Sequence, residues 1–326
     1  MKRRTSAVAV LATLFCLIGT VLTSSASAHD ENIITVGQQG NGDYRTIQQA
    51  IAYAPTGSTI IVHPGEYTEI LRINKKISLI GEDREQTIIN PISEQNKYAL
   101  RLGAPGITIQ GLSISNGAPG LYSTGIHIVA SDCNINDCLF YDNPIGIAIW
   151  TSGNQITNCT FERCEDEGIA ILGSESAPSN NNSIINCVFS YNCDGIELQH
   201  SSGNLIKDCE FYQNTHTGVD AIASGNDRNI IENCHIYDNR VHGIYLSASS
   251  DNQIIDCTVT GNRDGNIVMN KYAKNNQIIT SSDSTEEISE GSLGLKTIME
   301  RIIDRLLSPS KDGRSLPYLL NTIIIK

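Results

Sequence analysis

Three short segments carry side chains able to move protons. Asp194 and Glu197 lie in DGIELQ, His216 and Asp220 in HTGVDA, and His242 and Tyr245 in HGIYL. Each segment alternates apolar residues from a glycine onward, so polar residues fall at matching places beside that glycine. Carboxylates, imidazoles and a phenol on one flank suit proton transfer or hydrogen bonding to sugar hydroxyls, and neighbouring carboxylates raise one another's pKa. Trp150, the single tryptophan, ends the related segment GIAIW and offers a flat face for stacking on a sugar ring. The competing explanation is a polar face turned to water.

The element that positions these residues is a repeat. NQITNCTF (154–161), NSIINCVF (182–189), NLIKDCEF (204–211), NIIENCHI (229–236) and NQIIDCTV (252–259) share Asn-x-Ile-x-x-Cys followed by an apolar residue two places on. The cysteine column comprises Cys138, Cys159, Cys187, Cys209, Cys234 and Cys257, spaced 21 to 28 residues apart. Between these segments lie the glycine-led strands, with turns rich in Gly and Asn and no helical spacing. That pattern describes the coils of a β-solenoid.

A coil cannot bury its apolar face alone, so coils stack about 4.8 Å apart and equivalent residues form files. The residue two beyond each glycine faces out, giving the file His127, Ala148, Ala170, Glu197, Asp220, Tyr245. A second outward file is Val129, Trp150, Leu172, Gln199, Ile222, Ser247. The residue before each glycine adds Glu167, Asp194, Thr217, His242 and Asp264. The recurrent cysteine faces in and packs as a small hydrophobe, because a file along an axis cannot converge on one metal ion. The recurrent asparagine is an inward amide that bonds to the next coil, with Cys133 at one such position. Cys164 and Cys193 follow their strands at nearly the same offset, and a disulfide between them is expected in an oxidising compartment.

Less regular coils precede these at 59–73, 76–82 and 106–116, for about ten coils in all. An amphipathic helix within 42–55 is expected to cover the first coil. The predicted organisation is a secretory signal at 1–28, an N-terminal cap at 29–58, an all-β single-stranded parallel β-helix at 59–280, and a linker with an amphipathic tail at 281–326. The signal rests on Lys2, Arg3 and Arg4, the apolar run after them and the Ala26-Ser27-Ala28 cleavage site. It places the protein outside the cell, in the periplasm or at the cell surface. In the tail, the helix expected over 293–308 either caps the last coil or docks on a partner or a membrane surface.

The formal charge is −12, and about −15 once the basic leader is removed. That balance argues against nucleic acid or an anionic membrane as an electrostatic partner. No apolar run after the signal reaches the ~20 residues of a membrane span. The expected partner is a polysaccharide or another envelope component. No cofactor and no metal ligand set are predicted, with calcium the one ion left open by the carboxylate flank.

The opening ITVGQQGNGDYRTIQQAIAYAP, the following STIIVHPGEYTEILRINKKISLIGED and the Asn-x-Ile-x-x-Cys coils together resemble the right-handed parallel β-helix proteins of the pectate-lyase-like group. Their texture is similar to carbohydrate-binding and sugar-hydrolase repeats, including the periplasmic protein that assists copper-site maturation in nitrous oxide reductase. The signature motifs of pectin methylesterases, polygalacturonases and pectate lyases are absent, although GDYRTIQQAI is shared with the first of these. The stretch 216–247 is similar to the catalytic region of mannuronan C5-epimerases. Gly218, Asp220, His242, Gly243 and Ile244 match that motif, while Ala221, Ile222 and Ala223 replace its Pro, His and acid. The matching positions imply catalytic roles for Asp220 and His242; stacking, independently of the resemblance, puts Tyr245 beside them and makes Asp194, Glu197, His216 and Trp150 the candidate substrate contacts. An active protein would then be a polysaccharide lyase or uronate C5-epimerase. The alternatives are a non-enzymatic envelope scaffold and an accessory factor for a secreted copper enzyme.

Overall fold

The computed structural model describes residues 32–91, 97–116, 123–280 and 289–290. The expected signal and C-terminal helix lie outside the described residues. Each coil comprises three short strands, as in Gln155–Thr157, Thr160–Glu162 and Glu167–Leu172. Stacking yields three parallel sheets of eleven, nine and ten strands among the described residues, a solenoid of about ten coils. Register keeps like beside like: Ile156 pairs with Ile184, Phe161 with Phe189 and Ile169 with Ile196.

The corners are set by single residues. Between the first and second strands, Asp137, Asn158, Asn186, Asp208, Asn233 and Asp256 all take positive φ, between 49° and 56°. Asn and Asp tolerate this left-handed conformation best after glycine. The turn aims the following residue, the column cysteine, into the core. Phe140, Phe161, Phe189 and Phe211 then stack in parallel at centroid spacings of 4.7, 4.8 and 4.7 Å, which is the rise of the solenoid. The glycine of the third strand faces this stack. A Cβ on Gly195 would lie 2.5 Å from Phe211 Cδ1 and 2.5 Å from the Gly218 carbonyl oxygen, so glycine is required by close approach.

Two asparagine ladders run the length of the regular coils. In the first, each Oδ1 accepts from the backbone N–H of the preceding coil's equivalent: Asn154 to Asn182 at 2.9 Å, Asn182 to Asn204 at 2.8 Å and Asn204 to Asn229 at 2.9 Å. The second links Asn192 to Asn214 and Asn214 to Asn239, both at 3.1 Å. These bonds satisfy buried N–H groups that the corners remove from the sheets. Cys133 begins the first ladder, its N–H donating to Asn154 Oδ1 at 3.0 Å, in the asparagine position read from the sequence.

The cysteine column is buried from Cys138 to Cys234, with Cys257 half-buried at its end. Each Sγ points at a carbonyl two residues back, as Cys159 does toward Thr157 at 3.2 Å. Packing and weak S–H donation account for the column. The expected Cys164–Cys193 disulfide is not formed, and all nine cysteines of the described residues are thiols. The offset is the reason: Cys164 occupies a ladder position, its N–H donating to Asn192 Oδ1, so it is level with Asn192. Cys193 sits one place further on, its N–H donating to the Asp166 carbonyl.

The N-terminal helix spans Ile47–Tyr53, shorter than 42–55, and buries Ile47, Ala50 and Ile51 as its periodicity requires. The Glu69 carboxylate accepts from the N–H groups of Ile47 and Gln48 at its first turn. β-Structure also begins before 59, since Ile33–Val36 pairs in parallel with Thr59–Val62.

Asn214→Ala removes an acceptor for the buried Asn192 N–H and a donor to the Phe189 carbonyl. It is expected to destabilise the fold by about 2–3 kcal/mol, seen as a lower Tm by strand circular dichroism. Burial pushes the Cys164 thiol up to about 12. Because its folded pKa lies above the ordinary value of 9.0, the stability this thiol contributes is complete below that value and is lost as pH rises toward 12. Tm should therefore fall more steeply above about pH 9 in the wild type than in Cys164→Ser.

Candidate functional site

Register in the third sheet places Glu197 beside Asp220 and Asp220 beside Tyr245 on three successive coils. The row continues to Ala170 on one side and Val268 on the other. In the neighbouring file Glu167 pairs with Asp194. His242 pairs with Gly265, so Asp264 falls one residue outside the file in which the sequence pattern places it.

The polar groups converge most closely around Asp194. Its Oδ1 lies 2.6 Å from His216 Nδ1 and accepts the Thr217 backbone N–H at 2.8 Å. Asp220 Oδ2 is 3.8 Å from the same imidazole nitrogen. One coil on, the His242 ring stacks on Tyr245 with centroids 5.1 Å apart and planes 16° from parallel. Donor atoms of Glu167, Asp194 and Glu197 lie within 4.8 Å of one another, as do those of Cys193, Asp194 and His216. An oxygen-only set suits a hard cation, whereas thiolate with imidazole suits a borderline one.

The row is not the solvated groove implied by outward files. Glu197 is 7 %, Asp220 1 % and Tyr245 5 % exposed, and Glu167, Asp194 and His242 are buried as well. His216 and Cys193 remain half-buried at its margin. Buried carboxylates need compensating partners, so the solvated-face explanation does not describe these residues. Trp150 is different: it is 45 % exposed, two coils before Glu197. Its ring meets the edge of His127 at 6.3 Å, and His127 in turn meets Tyr98 at 5.9 Å. Burial, aided by Arg101, lowers the His127 pKa and favours the neutral ring. Between the aromatic trio and the acidic row lies a buried apolar patch of Ile145, Ala148, Ala170 and Leu172.

Sequence reasoning therefore located the row and its register but gave Glu167 no role and assigned Cys193 to a disulfide. The available signal was adjacency, since Cys193 precedes Asp194 and His216 falls beside them once the coils are aligned. A separate polar concavity lined by Gln38, Asn41, His63 and Glu82 has no mark in the repeat pattern.

The description of a right handed beta helix region matches residues 77–222 and 124–283, together more than half of the chain. The chain belongs to the right-handed β-helix family. In fold this β-helix is similar to a rhamnogalacturonan lyase, with TM-score 0.60 and 14% identity over 79% of this chain and 84% of that one. It is similar to a pectate lyase at 0.52, with 14% identity over 87% of both chains. It is also similar to the A-module of a mannuronan C-5 epimerase of Azotobacter vinelandii, at 0.50 with 17% identity over 75% of this chain and 86% of that one. In sequence it is 27% identical over 112 residues to the Arabidopsis thaliana protein named Probable pectinesterase 56, covering 30% of this chain and 39% of the relative. It is 32% identical over 104 residues to a cell surface glycoprotein of Methanothermus fervidus, covering 31% of this chain and 16% of the relative. These likenesses relate the fold to that of polysaccharide-active enzymes, while the chain spans well under half of either sequence relative. Fold of this kind hosts many unrelated sites.

Asp194→Ala should lower Tm markedly, by an amount equivalent to about 2–4 kcal/mol, because it leaves the buried Thr217 N–H without its acceptor and releases His216. Thermal melts of the two proteins check this; an unchanged Tm would show that the pair contributes nothing to coil stacking.

Proposed function

We propose that this is a secreted or cell-surface β-helix that binds a polysaccharide along the outer face of its third sheet, from Trp150 across to Glu197, Asp220 and Tyr245. The observation that carries the reading is the in-register row of two carboxylates and a phenol on successive coils, with the Asp194–His216 pair beside it. The row repeats at the ~4.8 Å coil spacing just beneath the surface, with Glu197 and Tyr245 slightly exposed as the hydrogen-bond partners nearest a polymer of hydroxyls, and Trp150 adds an exposed stacking surface at one end. The cell surface glycoprotein relative and the basic, apolar N-terminus support the extracellular setting.

A catalytic version of the reading draws on the stacked His242 and Tyr245 one coil beyond Asp220. Abstraction of a proton next to a uronate carboxyl needs a base on one side and a donor to the departing or re-forming bond. Asp220, His242 and Tyr245 are the groups that would divide those tasks, in place of the histidine that Ile222 replaces. A non-enzymatic scaffold is favoured by one observation, the burial of the same row.

A glycan panel separates these readings. The wild type is expected to bind one class of neutral or acidic polysaccharide. Asp220→Asn and Tyr245→Phe, which preserve shape in a buried row, should each weaken binding at least tenfold, equivalent to about 1.4 kcal/mol, with Tm held within a few degrees. Failure of the wild type to bind any glycan leaves the scaffold. If a polyuronate is cleaved or epimerised, His242→Ala should abolish turnover, and full turnover in that variant removes His242 from the chemistry.

A further inference from the structure

We infer that Cys193, Asp194 and His216 form a binding site for one borderline divalent ion of the zinc class, clamped between two neighbouring coils. The sequence pattern gives no reason to expect a metal, because the column cysteines are spread along the axis. Cys193 stands outside that column. Coil geometry brings its sulfur, a carboxylate oxygen of Asp194 and an imidazole nitrogen of His216 within 4.8 Å of one another. This mixed set of thiolate, carboxylate and imidazole is the chemistry that zinc and cobalt select over calcium or magnesium.

Three features of the surroundings fit such a site. Asp194 is buried and held by the Thr217 backbone N–H at 2.8 Å, so one ligand is oriented in advance. Cys193 and His216 are half-buried, which leaves an approach from solvent. The Thr217 hydroxyl, fully buried beside Asp194, has no hydrogen-bond partner, so an ion-bound water there would have an acceptor or donor ready. Asp220 Oδ2, 3.8 Å from His216 Nδ1, is a further donor within reach of a fourth position.

Binding exchanges protons for metal. The Cys193 thiol gives up its proton to solvent on coordination; a proton on His216 Nδ1 passes to Nε2, leaving the ring neutral, or is released to solvent where Nε2 already carries one. Donors about 2.0 Å from a tetrahedral ion sit about 3.3 Å apart, so His216 Nδ1 and Asp194 Oδ1, now 2.6 Å apart, open slightly. The inference does not depend on the flank binding a glycan.

Cobalt(II) tests it on the full-length protein after treatment with a chelator. Titration should reach one equivalent with a thiolate-to-cobalt charge-transfer band in the near ultraviolet, and zinc should displace the cobalt and erase the band. Cys193→Ser should lose the band, and His216→Ala should weaken zinc binding at least ~100-fold, while His235→Ala, on the second sheet, changes neither. Zinc should also slow alkylation of Cys193 by iodoacetamide, followed by peptide mass spectrometry. A band that persists in Cys193→Ser, or zinc affinity equal in the wild type and His216→Ala, would overturn the proposal. So would alkylation of Cys193 at the same rate with and without zinc, the behaviour of a thiol that acts alone.

Discussion

The regular coils of this protein depend on the asparagines that hand a carbonyl oxygen to the coil before them. A β-solenoid must turn its chain three times per coil, and each turn takes backbone N–H groups out of the sheets while leaving them in the core. At two of the corners an inward carboxamide bonds both the N–H and the side-chain amide of the equivalent residue one coil earlier, as Asn239 does for Asn214. Apolar burial drives the stacking, but without these bonds the corners would each bury an unsatisfied donor. The phenylalanine file and the cysteine column fill the space the ladders enclose, and Gly146, Gly168 and Gly195, near the start of their third strands, face that file where it leaves no room for a Cβ.

The outer face of the third sheet inherits its chemistry from this regularity. Strict register means that a polar residue chosen once per coil is repeated at the coil spacing, so carboxylates separated by about 23 residues in sequence become neighbours. The same regularity creates an electrostatic problem, since acids stacked in one file repel. The observed answer is interruption: Thr217 follows Asp194 in its file, Tyr245 follows Asp220, and His216 reaches back to Asp194. The acids thus come in adjacent pairs, Glu197 with Asp220 and Glu167 with Asp194, and each file is closed on the next coil by a group that carries no carboxylate.

Much of this was legible because period and register coincide. The spacing of Asn154, Asn182 and Asn204 fixed the coil boundaries, and alternation from each glycine fixed which side chains faced out, down to the neighbours Glu197, Asp220 and Tyr245. Burial was not legible, because sequence periodicity reports the direction of a side chain from its sheet and says nothing of what shields it. The Cys164–Cys193 expectation failed for a related reason. Both follow a strand, but Cys164 stands three residues before Glu167 and Cys193 only one before its register partner Asp194, which puts Cys193 one place past the ladder position and on the outer flank.

The ladder's direction has a consequence for how such a chain changes length. Since all these carboxamides present oxygen toward the N-terminal side and an amide toward the C-terminal side, each coil has the same socket below and the same plug above. Between coils that carry asparagine at both ladder positions, a whole coil can be duplicated or deleted and the joints re-form without a compensating substitution, whereas half a coil leaves one plug without its socket; Cys133 and Cys164, which hold ladder positions without a carboxamide, mark where this exchange stops. Length is thus quantised in coils. The outer face plays no part in the asparagine joints and can diverge from one coil to the next wherever it carries no contact between coils such as that of Asp194 with Thr217.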